Sequence, residues 1–137
     1  MKSNNRFVNI SAAVLIVFSA FSLLMVSAMA FFSPQMVMDL VQVKLPNNDA
    51  YSSIRGVYGG VGLTIVISLI YLLVKDKKIA LVFLTMLWGF YALSRVITLI
   101  HEGPLGDFGN KWLNIESVLF ACSLGLMLVY PKRLNKA

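Results

Sequence analysis

Three charged side chains stand inside long apolar runs, Arg55, Arg95 and Glu116, and through them this chain could do chemistry. A guanidinium offers paired N–H donors that fit a carboxylate or a phosphate, and a carboxylate offers the matching acceptors. Such a charge is costly in an apolar run unless something receives it. Aromatic residues at helical spacing accompany the arginines, Tyr58 after Arg55 and Trp88 and Tyr91 before Arg95. The candidate ligand-binding set is therefore Arg55, Tyr58, Trp88, Tyr91, Arg95 and Glu116. One use of these residues is an ion-pair network that fixes helix register. A second is an outward-facing pocket for a small anionic or amphipathic ligand, walled by the aromatic rings. A third is a proton or ion path, which needs titratable groups through the whole depth, and the inner halves of these runs have none. Two arginines against one glutamate leave a positive excess, which Glu102 and Asp107 are placed to offset.

Nothing pairs a nucleophile with a base. No G-x-S-x-G, H-E-x-x-H, phosphate-loop or C-x-x-C pattern occurs. His101 beside Glu102, with Asp107 and Glu116, makes a thin ligand set, and a surface histidine at a helix end is the plainer reading. Cys122 is the one cysteine, so an internal disulfide is excluded. The expectation is a protein that is not an enzyme, with no catalytic residue, no metal and no cofactor.

The elements that must position these residues are apolar helices. The 137 residues are 58% hydrophobic and 13% charged, with mean hydropathy +0.79. A soluble domain carries roughly a quarter charged residues. The charges here cluster between long apolar runs, the pattern of an integral membrane protein. The net charge of +6 flanks apolar segments and is explained by topology, so nucleic acid is not an expected partner. Four spans are expected, at about 7–32, 53–74, 79–100 and 113–130, in a single membrane domain covering 1–137. Ser33-Pro34 is a helix-start signal, and the outer loop 33–52 holds either a short interfacial helix or an ordered loop. Pro46-Asn47-Asn48-Asp49 reads as a turn cluster. Lys75-Asp76-Lys77-Lys78 makes a tight turn between antiparallel helices, and Pro131 stops the last one. A cleaved signal peptide ending near Ser27-Ala28-Met29-Ala30 is the rival reading of the first span, whose apolar stretch exceeds the usual signal core.

Eight basic residues (Lys2, Arg6, Lys75, Lys77, Lys78, Lys132, Arg133, Lys136) lie at the ends and the 75–78 turn, against Lys44 and Lys111 in the other loops. That bias puts both termini in the cytoplasm. Arg55 and Glu116 then fall just after the outer ends of their spans and Arg95 just before one, so the three share a shallow outer layer. On the third span Trp88, Tyr91, Arg95, Thr98 and Glu102 form one stripe, and on the second Arg55, Tyr58, Gly59 and Gly62 form another. Gly56 and Gly60 make a G-x-x-x-G pair suited to close helix approach.

Arg55-Gly56-Val57-Tyr58-Gly59-Gly60 opening a span, Arg95 late in the next, Glu102-Gly103-Pro104 in the outer loop and Glu116 early in the last resemble a known family. It is the set of small bacterial four-helix membrane proteins catalogued as domain of unknown function 4345, with a more distant similarity to DoxX-like proteins. The resemblance covers nearly the whole chain. It implies a multi-pass protein of the bacterial inner membrane and supports Arg55, Arg95 and Glu116 as the positions of interest; it supplies no substrate. The expected fold is an all-α, antiparallel four-helix transmembrane bundle. The leading functional expectation is a non-enzymatic accessory or structural protein, whose partners are the lipid bilayer and a membrane protein or a second copy. The alternative is a binder or carrier of a small anionic or amphipathic ligand.

Overall fold

The computed structural model describes residues 2–130, and every element among them is helical. Pro131, Lys132, Arg133 and Lys136 lie outside the described residues. Helix α1 spans Lys2–Phe32 and α2 spans Pro34–Asp39. The next span is one long rod in three parts: α3 (Asn48–Ile54), a π-helical segment (Arg55–Val61) and α4 (Gly62–Lys75). Helices α5 (Lys77–His101) and α6 (Asp107–Val129) complete the chain. Four stretches are long and apolar enough to cross a membrane: Asn5–Phe32, Asn48–Lys75, Lys77–His101 and Asp107–Val129. The chain is thus an all-α membrane protein.

Local chemistry sets the helix boundaries. Pro34 takes the first position of α2 after Ser33, whose hydroxyl makes no capping bond. Gln35 then ties the following loop together: its Nε2 donates to Asp39 Oδ1 at 2.7 Å and to the Val43 carbonyl at 2.9 Å, and its Oε1 accepts from Leu45 N at 3.0 Å. The Pro46–Asp49 cluster is a helix start. Asn47 Oδ1 accepts from Ala50 N at 2.9 Å, satisfying one of the orphan N–H groups of the first turn. The rod therefore begins at Asn48, earlier than the expected Ser53. Asp76 alone forms the turn before α5, accepting from Lys78 N and Ile79 N at 3.0 and 3.2 Å. Helix α6 also starts early, at Asp107, whose negative charge suits a helix N-terminus; the loop before it shrinks to 102–106, with Gly103 at φ 104°.

The described residues divide into two compact units, one of 2–16 with 75–130, the other of 17–74. In the first, Ala80, Leu81, Leu84 and Trp88 of α5 and Glu116, Leu119 and Ser123 of α6 are buried, each set at helical spacing. In the second, Ser19, Ala20, Ser27 and Ala30 of α1 and Val66 and Leu69 of α4 are buried. Small residues dominate the buried face of α1, while Phe18, Phe21 and Met25 point outward. That is the arrangement of helices that pack backbone to backbone and present bulk to lipid.

Candidate functional site

In the first unit, α5 and α6 face each other antiparallel. Arg95 meets Glu116, and earlier on α5 Gly89 meets Phe120, later on α6. A Cβ on Gly89 would lie 3.0 Å from the Phe120 ring, so the glycine is what lets the two helices close at that level. About two turns of α5 before the loop, the Arg95 guanidinium closes on the Glu116 carboxylate through two hydrogen bonds. Arg95 Nε donates to Oε2 at 2.6 Å and Nη2 donates to Oε1 at 2.9 Å. The Glu116 side chain is 3% exposed and that of Arg95 22%. The carboxylate spends both oxygens on one guanidinium, the strongest geometry open to such a pair. The Arg95 Cζ also sits 5.9 Å from the centre of the Phe108 ring, within the range of a cation–π attraction. Trp88 and Tyr91 pack against one another with ring centres 6.1 Å apart; Trp88 is 3% exposed and Tyr91 39%.

In the second unit, Arg55 opens the π-helical segment. Its Nε donates to the Phe31 carbonyl at 3.1 Å. Gly59, one turn on, sits against the Phe31 ring at a distance where a Cβ would lie 3.2 Å from the ring carbons. Gly62 packs so closely on Ser27 that a Cβ there would overlap the serine hydroxyl. Gly59 of the segment and Gly62 at the start of α4 thus let the rod press against α1. Tyr58, on the same segment, is 39% exposed, and Gly56 faces open space.

The structure brings Arg95 and Glu116 into direct contact and sets Trp88 and Tyr91 together earlier on α5. It gives Arg55 a carbonyl partner in its own unit. Glu102 and Asp107, placed by the sequence to offset the arginines, make no ion pair with either. Phe108 and the Phe31 carbonyl were not foreseen as contacts of the arginines. Phe108, Trp112 and Glu116 recur at spacings of four, so Phe108 was detectable as a residue on the same helix face as Glu116. The Phe31 carbonyl carries no side-chain signal. Among the described residues no three of His, Cys, Asp and Glu gather in reach of one ion.

Compared with known families, residues 11–127 match the model described as domain of unknown function (DUF4345). No curated protein and no solved structure matches the chain.

Proposed function

We propose that this chain, which belongs to the family described as domain of unknown function (DUF4345), is a non-enzymatic accessory or assembly protein of the membrane, with Arg95–Glu116 as a structural clamp between α5 and α6. The observation that carries this reading is the pairing of Glu116: each oxygen is bonded to one guanidinium and the side chain is 3% exposed. A buried carboxylate whose charge is already met by a two-bond arginine partner is placed to hold helices together rather than to meet a substrate. A paired charge between helices is worth most as a register device, because sliding either helix by one residue leaves both charges unpaired in an apolar layer. The reading puts the protein in a bacterial inner membrane with its termini in the cytoplasm, supported by the excess of Lys and Arg in the tails and the 75–78 turn.

The test is the amount of folded protein recovered from the membrane for Arg95→Ala, Glu116→Ala and the apolar double variant Arg95→Met/Glu116→Leu. A clamp predicts that either single variant lowers recovery and that the double variant restores most of it. Full recovery of Glu116→Ala, coupled to loss of a small molecule that the wild type carries, overturns the structural reading in favour of a ligand site.

A further inference from the structure

The geometry points to a phospholipid headgroup site at Arg55, with the guanidinium as receptor for the phosphate of an anionic lipid. Arg55 differs from Arg95 in what it faces. Its one bond is from Nε to the Phe31 carbonyl, and no carboxylate pairs with it. Of the acidic residues in its unit, Asp39 accepts from Gln35 and Asp49 lies at the start of α3, neither in ion-pair contact with it. The two terminal nitrogens, with four N–H donors between them, have no partner among the described residues, and the residue is exposed.

The Nε bond explains why the side chain is held there. The Phe31 carbonyl is among the last four of α1, which the helix cannot satisfy itself. Helix α1 has no basic residue in its last turn, so Arg55 supplies the cation that this terminus favours. The helix end offsets only about half a unit of charge. A net cation remains, its outer edge unfilled, and an anion is the complementary occupant.

Depth selects a lipid as the source of that anion. The rod Asn48–Lys75 has 28 residues, or about 42 Å at the α-helical rise. The hydrocarbon layer is about 30 Å thick, so about 12 Å projects beyond it. The polar residues Asn48, Asp49, Ser52 and Ser53 all stand before Arg55, so the projection belongs at that end. Arg55, the eighth residue of the rod, then lies where hydrocarbon meets headgroups. Beside it, at the end of α1, Phe31 is 41% and Phe32 88% exposed, an apolar flank suited to acyl chain. A free phosphate would gain nothing from that flank, whereas a phospholipid uses both parts.

The experiment is native mass spectrometry of the full chain in mild detergent, titrated with phosphatidylglycerol or with phosphatidylcholine of the same acyl chains. The wild type is expected to retain one phosphatidylglycerol with a preference of about tenfold or more, because phosphatidylcholine presents the same phosphate but brings a choline cation close to the guanidinium. Arg55→Gln, which keeps a donor for the Phe31 carbonyl and removes the charge, should lose most of that preference. Equal retention of the two lipids by the wild type overturns the proposal, and needs no variant to fold. An undiminished preference in Arg55→Gln overturns the assignment to this residue. Inorganic phosphate displacing the lipid at equal concentration would show a phosphate site without a lipid one, and the lipid assignment would fall.

Discussion

Deleting the two halves of the Arg95–Glu116 pair should cost different amounts, because the halves are buried to different depths. Breaking a buried pair by removing one partner costs about 3–5 kcal/mol. Arg95→Ala leaves a carboxylate 3% exposed, with both oxygens stripped of their only donors; it belongs at the upper end, about 4–5 kcal/mol. Glu116→Ala leaves a guanidinium 22% exposed, which can turn its head outward and keep its contact with the Phe108 ring. That loss belongs at the lower end, about 3 kcal/mol or less. Arg95→Met/Glu116→Leu removes both charges and keeps apolar volume, and should return to within about 1 kcal/mol of the wild type. The assay is denaturant unfolding in detergent micelles, followed by the fluorescence of Trp88 and Trp112. With Arg95→Met and Glu116→Leu as the single variants that close the cycle on the double, the coupling energy should be several kcal/mol and favourable. A coupling near zero, or a larger loss for Glu116→Ala than for Arg95→Ala, refutes the clamp and the burial argument behind the ranking.

Three smaller perturbations test the packing that holds these residues in place. Gly62→Ala must displace the Ser27 hydroxyl from its 2.8 Å bond to the Leu23 carbonyl, and the cost of about 1–3 kcal/mol for an unsatisfied buried hydroxyl should outweigh the helix-propensity gain. Adding Ser27→Ala leaves the new methyl 3.4 Å from the nearest atom, so the double variant should regain that loss in the same unfolding assay. Gly56→Ala meets nothing within 4 Å and should be neutral or stabilising by up to about 1 kcal/mol. Asp76→Ala removes the cap of α5 and should lower stability by about 1 kcal/mol, with the first turn of α5 the earliest to exchange its amide hydrogens.

The spans were legible because a membrane demands length and apolarity of a segment, and both are composition. Arg95 and Glu116 were legible as members of one polar layer, because both fall towards the loop that joins two antiparallel spans; the same reasoning put Arg55 in that layer with them, whereas the structure gives Arg55 a backbone carbonyl as its partner. The starts of α3 and α6 were harder to see. Asn47 sits in a Pro46–Asp49 cluster that reads as a turn, and Gly103, Gly106 and Gly109 made 101–112 read as one loop, although Gly109 lies inside α6. The π-helical segment was not visible at all. A 3.6-residue period puts Tyr58 and Gly59 in one stripe, whereas the structure exposes Tyr58 and buries Gly59 against Phe31. No residue type signals such a widening of the helix.

As sequence, the two arginines are alike: each stands near the end of an apolar span with aromatic residues at helical spacing. Their partners make them different objects. A carboxylate cancels the charge of Arg95 and occupies two of its nitrogens, so that arginine has little left to offer anything outside the protein. A backbone carbonyl takes one N–H of Arg55 and cancels only part of its charge, so that arginine still acts on whatever lies beyond the helices. A full carboxylate at Arg55 would have served stability better, since it would neutralise the cation as well as orient it. Its absence, with the side chain tethered rather than free to snorkel away, is what separates a structural charge from one held ready for a ligand. On that ground a loss of folding is expected from changes at Arg95 and Glu116, and a loss of lipid selectivity with the fold retained from Arg55→Gln.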